Sequence, residues 1–145
     1  MSFTDPAFLI RSFQTLLGLS GLAKVAGAMK KELDPLYPSF PVSISQFIGA
    51  SEIGIVALLY LPQGEPYRLL NQWAISLIMG GAVNTHVVTG DGKAAVPGVI
   101  LLSSLAAQWL LTKGDATMVG VGALAGVVGY VVSSLIISAP KNKSK

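Results

Sequence analysis

Apolar residues run along this chain in long stretches broken by short polar clusters, and the intervals between formal charges measure those stretches. Between Arg68 and Asp91 lie 22 uncharged residues, between Lys93 and Lys113 there are 19, and between Asp115 and Lys141 there are 25. A helix needs roughly 20 apolar residues to cross about 30 Å of hydrocarbon, so each interval predicts one span. Two further spans carry charge: Val42 to Leu61 is apolar apart from Gln46, several serines and Glu52, and Ala7 to Met29 contains Arg11 and Lys24. Five helices are expected, at about 6–31, 42–61, 69–89, 95–112 and 116–139, in one integral membrane domain over residues 1–145.

The breakers fit these bounds. Pro6 suits a first helical turn and Asp5 before it can cap. Pro35, Pro38 and Pro41 make Glu32 to Pro41 a rigid, non-helical connection, with Leu36, Tyr37 and Phe40 apolar enough to rest on a membrane surface. Leu61-Pro62-Gln63-Gly64-Glu65-Pro66, Thr89-Gly90-Asp91-Gly92 and Thr112-Lys113-Gly114-Asp115 read as turns. Connections this short make successive helices antiparallel neighbours, so the fold class is an all-α, antiparallel transmembrane bundle.

Composition agrees, with 52% hydrophobic and 12% charged residues and no cysteine. Soluble domains carry about 25% charge, which excludes an ordinary water-soluble globule, a disordered chain and a disulfide scaffold. With five crossings, Lys30, Lys31, Lys93, Lys141, Lys143 and Lys145 share one side, while Arg68 and Lys113 share the other. The excess of basic residues places the C-terminus on the cytoplasmic, matrix or stromal side. Tyr60, Tyr67, Trp73 and Trp109 fall near the opposite face, where amphipathic rings favour the headgroup layer. No basic leader precedes Asp5 and Pro6, so a signal peptide is not expected. The basic tail reads as a topology signal or a contact with anionic lipid; nucleic-acid binding is not expected.

Ionisable groups inside a membrane are costly and turn toward the bundle interior. Here they are Arg11, Lys24, Glu52 and His86. At about 1.5 Å per residue, Lys24, His86 and Glu52 sit at roughly 9, 6 and 14 Å from the basic face, on consecutive antiparallel helices, and can meet. Ser45, Gly49 and Glu52 form one polar stripe, and Gln72, Ser76, Met79, Val83 and His86 another. Ser104 and Gln108 extend the seam. Two readings stay open. In one, Glu52 and His86 carry protons for a quinone head group and Lys24 is their electrostatic partner. In the other, Lys24 neutralises Glu52, while Asn84, Thr85 and His86 bond neighbouring helices or cap the end of the third span. Arg11 reads as a snorkelling anchor. One histidine cannot build a metal site. Gly120, Gly122, Gly126 and Gly129 give the last span a small-residue face for close helix packing or for docking on a partner.

Gly18-Leu19-Ser20-Gly21-Leu22-Ala23-Lys24, Ile48-Gly49-Ala50-Ser51-Glu52-Ile53-Gly54 and Gly81-Ala82-Val83-Asn84-Thr85-His86, in this order, resemble the DoxX-like membrane proteins over roughly residues 8–112. The resemblance implies a four-helix membrane bundle whose members serve as small subunits of quinol oxidase or thiosulfate:quinone oxidoreductase systems, as partners of other membrane oxidoreductases, or as assembly chaperones. It carries over Lys24, Glu52 and His86; the span after Lys113 is an addition.

The expected function is a non-catalytic accessory subunit of a respiratory or photosynthetic electron-transfer complex, docked by its Gly-rich last helix in an energy-converting membrane, either an organelle inner membrane or a bacterial plasma membrane. The alternatives are a quinone-linked component using Lys24, Glu52 and His86, or a lipid-handling or chaperone protein with an open cavity beside Glu52. Membrane lipids and other membrane subunits are the expected partners. No cofactor is required, and a quinone or structural lipid is the expected ligand.

Overall fold

The computed structural model describes residues 6–62 and 65–138, and among these the chain is helical without a strand. Six α-helices follow in order: α1 Pro6–Val25, α2 Lys30–Leu33, α3 Ile44–Tyr60, α4 Glu65–Thr89, α5 Ala95–Leu111 and α6 Ala116–Ser138. Asp5, the turn residues Gln63 and Gly64, and the tail Lys141 to Lys145 lie outside the described residues.

Three boundaries differ from the sequence expectation by several residues. The first helix stops at Val25 instead of near Lys31, because Gly27 takes a left-handed φ of 91° that ends a right-handed helix and suits glycine. The segment Glu32 to Pro41, expected to be non-helical, begins inside α2 and continues as a 3-10 turn, Asp34–Leu36. Pro35 sits in the first turn of that element, where its missing N–H is harmless. Helix α4 starts at Glu65, earlier than the expected 69.

The extended connection is fastened to α3. Ser43 is the N-cap of α3, and Asp34 Oδ1 accepts hydrogen bonds from Ser45 N–H at 3.0 Å and Ser43 Oγ at 3.1 Å. Phe40 packs against Phe47, with ring centroids 5.5 Å apart.

The longest interfaces pair α1 with α3 and α4 with α6, while α3 and α4 touch sparingly. Helices α1 and α3 cross at Gly21 and Gly49. A Cβ on either glycine would lie 2.6 Å from the other's carbonyl oxygen, so only hydrogen fits there. Helices α4 and α6 run parallel, since Trp73 donates to the Met118 carbonyl, Gly80 abuts Gly126, and Asn84 bonds Ser133. A Cβ on Gly80 would collide with the Gly126 carbonyl, and one on Gly129 with that of Leu77.

Burial is reversed relative to a water-soluble bundle. Gln14, Glu52, Gln72, Ser76, Asn84, Ser104 and Gln108 are buried, while Leu16, Leu19, Leu22, Val96, Leu102, Leu124, Val127 and Leu135 are exposed. A compact apolar cluster of Leu17, Val56, Ile75, Met79 and Ile100 sits between the two helix pairs. Only α6, over Ala116–Ile137, passes a test of length and apolarity for crossing a membrane among the described residues. The reasons are local: α3 and α5 have 17 residues each, a rise of roughly 25 Å, α1 carries Arg11 and Lys24, and α4 carries a dense polar stripe.

Candidate functional site

The Gly21–Gly49 crossing decides where the first two candidate residues go. It lies one turn from Lys24 on α1 and from Glu52 on α3, so the close backbone approach delivers the ammonium to the carboxylate. Lys24 Nζ donates to Glu52 Oε1 at 2.5 Å and to Ser20 Oγ at 3.0 Å. Glu52 is 1% exposed and Lys24 is 8% exposed, so this is a buried ion pair. The second carboxylate oxygen, Oε2, has no hydrogen-bond partner.

His86 does not join the pair. It lies at the end of α4, where its Nδ1 is 2.7 Å from Asp91 Oδ2, and Asp91 Oδ1 accepts from Lys93 N–H at 2.9 Å. That backbone bond, followed by the imidazole, holds the Asp91 carboxyl below the usual carboxylate range. Lys24 and Glu52 meet as expected; of the two readings of His86, the one that put it in the same ionic contact is corrected, because five residues on, Asp91 folds back over the helix end and takes the ring.

Asn84 and Thr85 belong to a second polar group whose hydrogen-bond directions follow from proton counting. Thr85 Oγ1 donates to the Gly81 carbonyl at 3.0 Å, so it accepts from Tyr37 O–H, also at 3.0 Å. With its one proton spent, Tyr37 accepts from Ser133 Oγ at 2.9 Å. Ser133 in turn accepts from Asn84 Nδ2 at 3.1 Å, and Asn84 Oδ1 accepts from Ser134 Oγ at 2.8 Å. Tyr37 was expected on the membrane surface. It is buried instead, because its hydroxyl completes this chain while Leu33 and Ile44 pack around it.

The expected seam is present farther along the bundle. Gln14 donates to Gln72 Oε1 at 2.6 Å, Ser104 Oγ donates to the Gln72 carbonyl at 2.7 Å, and Gln108 Nε2 donates to Ser76 Oγ at 3.1 Å. Arg11 makes no ion pair with Glu52 and borders a smaller cavity with Arg68 and Asn71. Sequence reasoning missed Gln14, Ser133 and Asp91. Gln14 and Ser133 carried a signal, being polar positions within apolar helices; Ser133 follows Gly129 by one turn.

Between the two helix pairs lies a cavity of about 800 Å³, within the range of small-molecule sites, roughly 300–1,000 Å³. Lys24, Glu52 and Ser20 form one part of its wall, and Tyr37, Thr85, Ser133 and His86 another. The remaining lining is apolar, with Leu17, Met79 and Ile100 shared with the core cluster. Met29 and Leu33, from the segment between α1 and α3, also line it. Its margins include Leu16, Leu77, Val96, Val99 and Val132, all exposed, so it opens sideways through an apolar mouth.

The glycines of α6 serve the chain itself. Gly126 meets Gly80, Gly129 meets Leu77 and Gly81, and Gly122 faces the Gln108 side chain, while Gly120 faces open space. Of the two readings of this face, Gly122, Gly126 and Gly129 therefore follow the one of packing within the bundle and are not free to dock on a partner, and α6 supplies Val128, Val132 and Ser133 to the cavity.

An all-helical bundle with polar residues inside, apolar residues outside and a side-opening apolar cavity defines a class of small membrane-type helical proteins. The chain belongs to the DoxX-like family, whose model matches residues 12–108. The family is membrane-associated, and α6 lies beyond the matched segment. No curated protein and no solved structure matches the chain.

Proposed function

We propose that this protein is a multi-pass membrane bundle that holds one apolar molecule with a polar head, of the quinone or lipid class, beside the Lys24–Glu52 pair. The observation that carries this reading is the cavity: about 800 Å³, apolar in most of its lining, open sideways, and polar at two places on its wall. A tail enters such a mouth from hydrocarbon without crossing water, and a few placed polar groups orient the head. The reversed burial supports several crossings, since outward leucines and valines suit lipid and inward amides and hydroxyls hold helices together there. Exposed Tyr60, Tyr67 and Trp109 suit the headgroup layer on the side opposite Lys30, Lys31 and Lys93.

The protein performs no reaction alone in this reading. It is a ligand-holding subunit of a membrane electron-transfer assembly, with the C-terminus on the cytoplasmic, matrix or stromal side of an energy-converting membrane. Its contacts with other subunits use surfaces other than the Gly122, Gly126 and Gly129 face.

Native mass spectrometry of protein released in mild detergent, with extraction of the bound molecule, tests the site. The parent protein should retain a quinone or lipid, and Ala82→Phe, which fills the cavity from α4, should lose it. Equal ligand content in the two proteins refutes the reading. Native electrophoresis tests the assembly: migration as a lone 15.0 kDa bundle in its micelle refutes the subunit role.

A further inference from the structure

We infer that the head group taken by this cavity is a hydroxyl, bound through Glu52 Oε2 as acceptor and Lys24 Nζ as donor. The inference rests on the cavity-binding reading above and adds the chemistry of the head.

It follows from an inventory of the hydrogen-bonding groups on the cavity wall. At the Tyr37 end every hydroxyl proton is spent: Tyr37 gives its proton to Thr85, Thr85 to the Gly81 carbonyl, and Ser133 to Tyr37. That end therefore offers oxygen lone pairs and no free hydroxyl proton. At the ionic end, Glu52 lies on the cavity wall and its Oε2 has no partner. A carboxylate oxygen buried without a donor is among the most costly groups a protein can hold. Lys24 spends two of its three N–H bonds, on Glu52 Oε1 and Ser20 Oγ, and a lysine ammonium has three. This part of the wall thus has one unsatisfied acceptor buried just behind it, beside the spare third N–H of Lys24 and the hydroxyl of Ser20, while on the other part His86 keeps its Nε2 after Nδ1 is taken by Asp91.

A hydroxyl matches that pair, because it donates one bond and accepts another. A carbonyl or ether oxygen answers Lys24 and leaves Oε2 as it was. The terminal torsion of a glutamate side chain is broad, so a turn of the carboxylate presents Oε2 to a hydroxyl in the cavity. The competing donor is Ser20, which sits beside the same carboxylate. Sites that hydrogen-bond a ligand hydroxyl reject the analogue lacking it, since the buried partner is left unpaired.

Quinols, sterols and glycerides share this head chemistry, and a matched pair of probes isolates it. Binding of 4-nonylphenol and its methyl ether, 4-nonylanisole, is measured by calorimetry on the full chain in maltoside micelles. The expected result is a preference for the phenol of at least about tenfold. In the variant Lys24→Met/Glu52→Leu, which removes both charges together, so that neither is stranded, and leaves no acceptor or donor at either position, the preference should fall below about threefold while the ether still binds; a tenfold preference that survives in this variant overturns the inference. Equal binding of the two probes to the parent protein overturns the inference and leaves the cavity reading standing, with Ser20 completing the carboxylate. Binding of neither probe overturns both. A further comparison of 4-nonylphenol with 1-tetradecanol separates an aromatic, quinol-like head from an aliphatic, sterol- or glyceride-like one.

Discussion

Replacing Lys24 by methionine removes the partner that neutralises Glu52 while keeping a long, flexible side chain in its place. The carboxylate is 1% exposed, and its remaining neighbours supply no second charge, since His86 is bound to Asp91. Breaking a buried pair from one side costs about 3–5 kcal/mol, because the surviving charge is stranded, whereas replacing both members with apolar groups is often neutral or stabilising. The single variant should therefore lose about 3–5 kcal/mol, and Lys24→Met/Glu52→Leu should return close to the parent. For a chain of this size 1 kcal/mol corresponds to roughly 2–4 °C, so the single variant should melt roughly 6–20 °C lower. Trp73 and Trp109, on different helices, report the transition by intrinsic fluorescence in detergent micelles. Two results would refute the reasoning: a single variant that melts within about 2 °C of the parent, on the same scale, or a double variant as unstable as the single.

Two other expectations come from the helix crossings and the connection. Gly80→Ala, whose methyl would meet the Gly126 carbonyl, should cost about 1–3 kcal/mol through overpacking, while Gly54→Ala, with nothing within 4 Å, should gain about 0.5–1 kcal/mol from helix propensity; thermal melts of the two compare them directly. Asp34 is held below the usual carboxylate range, first by the Ser45 backbone N–H and then by Ser43 and Lys30 against some desolvation. A depressed value means that the tether stabilises above the ordinary aspartate pKa of about 3.9 and is lost as pH falls through the lowered value. Hydrogen-exchange protection of the Ser45 amide should drop across that acid window in the parent and be low and flat in Asp34→Ala.

Much of this was legible in the sequence, and the reason is periodicity. Ser45, Gly49 and Glu52 fall one helical turn apart and are all buried on α3, and Ser76, Ser104 and Gln108 meet as their spacing implied. The Lys24–Glu52 pair was legible because both groups are charged, lie at similar depth, and stand on consecutive helices. What spacing could not give was the connection. Tyr37 is fixed by hydroxyls on α4 and α6, two elements remote in sequence, and composition alone made it an interfacial residue. The same limit left the cavity beside Glu52 as one alternative among several, since it opens where α3 and α4 touch sparingly, a fact that neither helix records in its own residues. Two places stayed open for His86 because helical depth fixes a height along the bundle and leaves the partner open; a local carboxylate at Asp91, at the end of its own helix, won over a distant one at Glu52.

The parallel seam between α4 and α6 makes the cavity depend on a helix outside the family match. The family match ends at residue 108, yet α6 walls the cavity with Val128, Val132 and Ser133 and anchors Asn84. A bundle ending after α5 would have that flank bare, to be covered by lipid or by a neighbouring polypeptide. In this chain the covering is a helix of the same polypeptide, so the cavity's flank is closed at one copy per site and independently of concentration.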